Sequence, residues 1–281
     1  MTTAEAAPLE PGHSFAPAKI NLTLHVTGQR ADGYHTLDTL VAFADLGDMV
    51  TIAPACDLSL DVRGPFAGGV PTGAENLVLR AARLAGMETG AITLDKHLPP
   101  SSGIGGGSSD AAALLRALGR DRDLPPEAIL TLGADVPMCL LARAAHVSGI
   151  GDVVCPVPDL PALPAVLVNP GVAVSTAQIF ATLSERNNAP MTVRPDRPDV
   201  PTVLHWLAAQ RNDLEQPAIA HAPVIAEALA ALRDAGSALA RMSGSGATCV
   251  GLFGDLDAAH KAERRLMARH PGWWVRTTLL T

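Results

Sequence analysis

The residues best suited to chemistry stand in four short stretches. The first is PSSGIGGGSSDAAALLRAL, Pro100 to Leu118, in which four glycines and four serines fall within nine residues and helix formers follow. Gly/Ser composition alone serves a flexible linker. Position points elsewhere, because the run joins the strand-like AITLDKHLPP to the start of a helix that the pattern predicts from Asp110. At a helix start the first N–H groups lack internal partners and the dipole is positive, which suits phosphate. Glycines let the backbone approach such a ligand closely. Ser108 and Ser109 could cap the helix or donate to phosphate. No Lys-Ser/Thr follows, so this is no Walker A loop, and GIGGGS does not complete GxGxxG. A phosphate cradle of this kind carries no lysine, so its cation must come from another segment.

The other three stretches say less singly. PAKINLTL presents Lys19 and Asn21 on one side of a strand, where a lysine is ordinarily just solvated. LGADVP presents Asp135, ordinarily a turn residue. RMSGSGATCV is either a tight connection between strands or a second backbone surface facing the glycine loop. Tyr34 is the one tyrosine, next to His35 and just after the turn-prone Asp32–Gly33 pair. By itself this pair reads as an anchor at a turn edge; next to a ligand it could stack on and hydrogen-bond a base.

These residues need elements to hold them. Ile20 to Val26 alternates apolar and polar, as a half-buried strand does. The residues after Gly33 read as a second strand, followed by strands in MVTIAP and LSLDVRG. ENLVLRAARL has helical spacing. TLGADVPMCLL reads as a turn running into an apolar strand; AAHVSGIGDVVCPV and PAVLVNPGV also read as strands. Residues 183–201 are polar and proline-rich, a surface loop. Pro201 to Asn212 and Ala218 to Ala235 read as helices. The tail reads strand, strand, helix, strand, as in a split βαβ layer. Strands and helices mix without regular alternation, so the class is α+β with two lobes.

Composition limits the function classes. A chain of 281 residues with 48 % hydrophobic and 17 % charged residues folds into one large domain or two lobes. The net charge of −7, from 21 basic and 28 acidic residues, argues against a nucleic-acid binder. The four cysteines form no CxxC pair and mostly neighbour apolar residues, so reduced, mostly buried thiols are expected. MTTAEAAPLEPGHSFAP does not have the pattern of a secretory signal, and no apolar run reaches membrane-spanning length. A cytoplasmic protein without a membrane partner is the expectation.

The order of the motifs is more specific than any one of them. PAKINL, GIGGGSSDAA, LGADVP and MSGSGA, in that sequence, resemble the GHMP small-molecule kinase family. PAKINLTLHVTGQRADGYHTLDTL and NPGVAVST are similar to its branch acting on a cytidine diphosphate ester of methylerythritol, in non-mevalonate isoprenoid synthesis. The resemblance runs from about Ala16 to about Phe253. It implies a two-lobed α+β fold, a mixed-sheet lobe over residues 1–160 and a split-βαβ, ferredoxin-like lobe over residues 161–281. It implies transfer of the γ-phosphate of ATP to the 2-hydroxyl of the substrate, with Mg²⁺ on the ATP phosphates. Asp135 would face that hydroxyl, with Lys19 beside it. Proton transfer would fall late, as the P–O bond forms. Pro99, Pro100, Ser101, Ser102, Gly103, Ile104, Gly105, Gly106, Gly107, Ser108 and Ser109 would cradle ATP, with Asn76 near the adenine. Ser108 or Ser109 would contact Mg²⁺ or phosphate. Cytidine would lie near Tyr34, His35, Asn21 and Phe180, and Thr176 near the substrate diphosphate. The protein would act as a monomer or homodimer.

Three features depart from the family pattern. Ser101 and Ser102 stand where glycines are common, the segment from Leu118 to Leu132 is short, and Asp110 replaces an Asn or Ala. An acid facing phosphate would repel it, so Asp110 is expected to cap outward. Competing readings are a GHMP kinase for homoserine, mevalonate or a sugar, a catalytically silent sensor of that fold, and a structural protein with a Gly/Ser linker. GQRADGYHTL disfavours the first, and the retained Lys19 and Asp135 disfavour the second.

Overall fold

The computed structural model describes residues 12–281, so most of the stretch read for a leader lies outside the described residues. In chain order the elements are β1 (Gly12–Asn21), β2 (His25–Gln29), β3 (His35–Ala53), β4 (Leu58–Arg63), α1 (Leu77–Leu84), β5 (Gly90–Asp95), α2 (Gly106–Ala117), α3 (Pro126–Leu130), α4 (Val136–Leu141), β6 (Ala145–Gly149) and β7 (Val153–Pro156). Then follow β8 (Leu163–Asn169), α5 (Thr176–Ala181), α6 (Val200–Ala208), α7 (Glu215–His221), α8 (Val224–Asp234), β9 (Leu239–Met242), β10 (Cys249–Leu252), α9 (Leu256–Arg269) and β11 (Trp274–Leu280).

The 19-residue β3 is the hub, because β1, β2, β5 and β6 all pair with it antiparallel. β4 runs parallel to β5, which makes this sheet mixed. The strands from β8 onward form a second arrangement in the order β11-β8-β10-β9. In it β8 lies between β10 and β11, and β10 lies between β8 and β9, so two split βαβ units interlock as in ferredoxin-like folds. The two sheets meet where β11 reaches β3, with Phe43 and Thr281 exchanging both backbone hydrogen bonds at 2.9 Å. One core lies under α1, α2 and α4; a second lies under α7, α8 and α9. A third joins Ile20 and Leu22 to Leu167 and Trp206.

Several expectations change. TLGADVPMCLL does not enter a strand; Val136–Leu141 is the helix α4, with Pro137 in its first turn where a missing N–H costs nothing. A six-residue apolar run has no period that separates helix from strand. The glycine helix starts at Gly106, four residues before Asp110. The helix read over Ala218 to Ala235 breaks between α7 and α8 at Pro223, which lacks a backbone donor. Thiols are half buried as a set: Cys139 and Cys249 are buried, whereas Cys56, between β3 and β4, and Cys155, on β7, are exposed. The alternation from Ile20 to Val26 does not leave a solvent face either. Asn21, Thr23 and His25 are buried, because Ser243, Met191 and Ala189 from the later part of the chain cover and hydrogen-bond them.

The glycine loop is docked between the first strand and the loop after β9. The Ser102 carbonyl accepts from Thr248 N–H at 3.1 Å. Ser243 Oγ donates to the Gly103 carbonyl at 3.0 Å and accepts from Asn21 N–H at 3.0 Å. Gly103 has φ +75°, and a Cβ there would sit 2.5 Å from the Ser243 carbonyl oxygen. RMSGSGATCV is therefore a second backbone surface against the glycine loop. Gly103→Ala is expected to destabilise the protein by about 2–4 kcal/mol in urea unfolding, through positive-φ strain plus overpacking. A midpoint equal to wild type would show that the loop relaxes freely.

Candidate active site

A cleft of about 1270 Å³ opens along the glycine loop and is walled by both parts of the chain. At its centre Lys19 Nζ lies 3.2 Å from Asp135 Oδ2. The lysine side chain is 5 % exposed and the aspartate 40 %, so the cation is enclosed while the carboxylate faces the cleft. Lys19 is held on three sides. Its Nζ donates to Asn21 Oδ1 at 2.8 Å, and Asn21 Nδ2 donates to Thr39 Oγ1 at 2.9 Å. Its backbone N–H donates to the Ile104 carbonyl at 2.9 Å. Gly105, at φ +65°, lets the loop pass the lysine stem: a Cβ there would sit 3.1 Å from Lys19 Cε. Asp135 occupies the N-cap position of α4 but makes no side-chain cap bond, which leaves it to the lysine and the cleft.

The loop residues divide. Ser101, Ser102, Gly103, Gly105, Gly106, Gly107 and Ser108 line the cleft. Pro99, Pro100, Ile104 and Ser109 do not. Ile104 is in the core, and Ser109 Oγ donates to the Pro17 carbonyl at 2.7 Å. Ser101 has φ +50°, a conformation that favours the glycine common there. Asn76 is not brought to the cleft. Both its side-chain groups are used at the start of α1, accepting from Val78 N–H at 2.8 Å and donating to the Pro71 carbonyl at 2.6 Å. Its neighbour Leu77 lines the cleft instead.

At the other end, Asn21, Tyr34, His35, Thr176 and Phe180 all line the same cleft. His35 stacks on Phe180 with ring centroids 4.8 Å apart and planes at 26°. Tyr34 is 58 % exposed, a free aromatic face at the rim. Burial, and next the positive charge of Arg186, push the His35 pKa below its ordinary value and favour the neutral ring. Thr176 and Ser245 share a hydroxyl–hydroxyl bond of 2.8 Å. Sequence reading missed Ser245, Gln29 and Arg186 in this wall, and also the apolar Leu24, Val174 and Leu214. Ser245 lay inside a motif already singled out; Arg186 lay in a segment with no pattern to mark it.

Asp110 does not cap outward. It is buried, and Lys96 Nζ lies between Asp110 Oδ2 at 2.7 Å and Asp48 Oδ2 at 2.5 Å. Because α2 begins at Gly106, Asp110 comes one turn into the helix, facing the end of β5 where Lys96 follows. Asp48 Oδ1 also accepts from the backbone N–H of His97 and Leu98. Asp110 Oδ1 has no partner. Burial opposes the Lys96 charge, but Asp110 and Asp48 outweigh it and hold its pKa above the ordinary value. Burial drives the Asp110 carboxyl up to about 7, against the pull of Lys96. Two acids share one ammonium, and Asp48 carries more hydrogen bonds than Asp110.

A family model described as GHMP kinases N terminal domain matches residues 75–157, and one described as GHMP kinases C terminal matches residues 196–271. The chain is 56 % identical over 261 residues to a 4-diphosphocytidyl-2-C-methyl-D-erythritol kinase of Paracoccus denitrificans, covering 92 % of this chain and 93 % of that one. It is 57 % identical over 270 residues to the enzyme of the same name from Ruegeria pomeroyi, covering 93 % and 96 %. This chain belongs to the GHMP kinase family. A crystal structure of 4-(cytidine 5'-diphospho)-2C-methyl-D-erythritol kinase superposes with TM-score 0.76 at 34 % identity, covering 95 % of this chain and 98 % of that one. A homoserine kinase from Cytophaga hutchinsonii shares the GHMP kinase fold at TM-score 0.63 and 18 % identity.

The Asp110 cluster has a measurable signature. An unfolded Asp titrates near 3.8 and the folded one near 7, so the folded state binds the extra proton between those values. Stability contributed by that proton is present at low pH and is lost as pH rises from about 4 to about 7. Asp110→Asn should flatten this slope and stabilise the protein at pH 8 by about 1–3 kcal/mol. An unchanged slope in unfolding measured from pH 5 to pH 8 would show that Asp110 is ionised throughout.

Proposed function

We propose that the protein transfers the γ-phosphate of ATP to the 2-hydroxyl of 4-diphosphocytidyl-2-C-methyl-D-erythritol, giving the 2-phosphate and ADP, a step in isoprenoid precursor synthesis. The observation that carries this reading is a single cleft with the Lys19–Asp135 pair at the glycine loop and the His35–Phe180 stack in the same wall. The relatives bearing that enzyme's name cover nearly the whole chain.

Phosphoryl transfer needs positioning and charge stabilisation more than covalent chemistry. Asp135 accepts a hydrogen bond from the substrate hydroxyl, aims its oxygen at the γ-phosphorus, and takes the proton as the new P–O bond forms. Lys19 holds Asp135 in place and stabilises negative charge developing on the transferred group. The Asn21–Thr39 link keeps the lysine from following solvent. Loop N–H groups at the start of α2 receive the ATP phosphates. Neutral His35 offers a donor and an acceptor to the pyrimidine edge, while Tyr34 and Phe180 supply faces for the ring.

Among the described residues there is no cluster of three or more acid, His or Cys side chains that could hold a metal ion. This fits Mg²⁺ carried by the nucleotide, since Mg²⁺ commonly binds through substrate phosphates and one or two protein oxygens. Ser108 is the loop residue for that contact, because it lines the cleft while the Ser109 hydroxyl is committed to Pro17. Bound Mg²⁺ would neutralise phosphate charge. Two lobes over residues 1–160 and 161–281 are supported by the change of strand partners between Pro156 and Leu163. Cytoplasmic residence is supported by four free cysteines; none of the described helices is long and apolar enough to cross a membrane.

The first test is ADP release from Mg·ATP with the cytidylated substrate, run in parallel with homoserine, mevalonate and galactose. Turnover only with the cytidylated substrate is expected. Turnover only with another alcohol would move the protein to another branch, and ATP binding without turnover would favour a silent sensor. Asp135→Asn should lower kcat by about 10²–10⁴-fold with ATP affinity retained, and full activity would remove Asp135 from the mechanism. Tyr34→Ala should weaken the cytidylated substrate by about 1–3 kcal/mol and leave ATP unchanged. Equal loss for both ligands would refute stacking on the base.

A further inference from the structure

We propose that Arg186 is a specificity-determining residue that binds the diphosphate of the cytidylated substrate. The inference rests on the cytidylated-substrate reading of the cleft and deepens it. A diphosphate diester carries about two negative charges, and an acidic chain must supply a placed cation for it. Of the described residues lining the cleft, only Lys19 and Arg186 are Lys or Arg. Lys19 is enclosed and already bonded to Asp135 and Asn21. That leaves Arg186 for a second anion.

Arg186 is poised and uncommitted. Among the described residues no carboxylate lies within ion-pair distance of its guanidinium. The neighbouring Glu185 is turned away: its Oε1 accepts the backbone N–H of Arg186 and of Asn187, each at 2.8 Å. Asp32, also in the cleft, is paired with Arg30 at 2.8 Å. Among the described residues the one side-chain hydrogen bond of Arg186 is from Nη1 to Gln29 Oε1 at 2.9 Å, which leaves its other donors free. The guanidinium is near enough to His35 for its charge to act on the imidazole.

Position then selects the ligand group. With the pyrimidine against His35, Tyr34 and Phe180, and the reacting hydroxyl at Asp135, the diphosphate lies between them. Thr176 and Ser245 offer hydroxyls in the same wall but no charge. A planar guanidinium binds phosphate oxygens in pairs, with geometry that a lysine lacks. Such a contact rewards a diphosphate over an uncharged ribose substituent, and it separates this substrate from alcohols such as homoserine or galactose.

Calorimetric titration of wild type, Arg186→Gln and Arg186→Lys with CDP, cytidine and ADP tests this directly. Wild type is expected to prefer CDP to cytidine. Arg186→Gln should weaken CDP by about 10-fold or more while cytidine and ADP keep their affinities. Arg186→Lys should recover part of the loss, as a point charge without the fork. The KM for the cytidylated substrate should rise in step with the loss of CDP binding. Equal weakening of CDP and cytidine would overturn the assignment in favour of a base contact or a structural role. Unchanged affinity for both would overturn it outright. Failure of wild type to bind either cytidine ligand, with ADP still bound, would overturn the cytidylated-substrate reading itself.

Discussion

In the proposed reaction, everything in the cleft depends on holding one ammonium group where phosphate charge develops. The glycine loop contributes N–H groups but no lysine, so its cation is imported from β1. Such a cation is useful only if its distance to the loop is fixed. Three contacts fix it: the Lys19 backbone is bonded to the loop at Ile104, its stem passes against Gly105, and its head is divided between Asn21 and Asp135. Taking an ammonium out of water is costly, and only close partners make that cost tolerable. Here the partners are also the machinery, so orientation and compensation come from the same atoms.

A second buried ammonium, Lys96, sits beneath the same loop and does a different job. It faces no cleft. It joins the end of β5 to β3 through Asp48 and to α2 through Asp110, locking the sheet to the helix that starts at the loop. Lys19 lines the cleft, and Lys96 does not. The lower cluster has two acids for one ammonium, and burial holds the Asp110 pKa above its ordinary value.

Much of the cleft lining was legible because it rests on unusual local sequence. A dense glycine run, an isolated tyrosine beside histidine, and an Asp in Gly-Ala-Asp-Val-Pro are rare enough to stand out, and all of them meet in one cleft. The ferredoxin-like tail was legible because its strands and helix have clean periods. What failed was tertiary. Nothing local says that Val136–Leu141 is helix, since six apolar residues fit either period. The resemblance put Asn76 near the adenine, but the start of α1 uses both of its side-chain groups. Asp110 was judged by the helix dipole alone, which says nothing of a lysine arriving from a strand. Arg186 sits in a loop without pattern, and only the fold reveals that it overlooks the cleft.

The Ser243 hydroxyl ties Asn21 to Gly103, joining segments 222 residues apart in the chain. Contacts of that separation close late, because a long loop must be ordered before any of them is made. The cleft therefore exists only where early and late parts of the chain have come together. Without the later part of the chain, the hydroxyl that links Asn21 to the glycine turn would be missing. Ligand binding in this cleft requires both parts of the chain to be folded against each other.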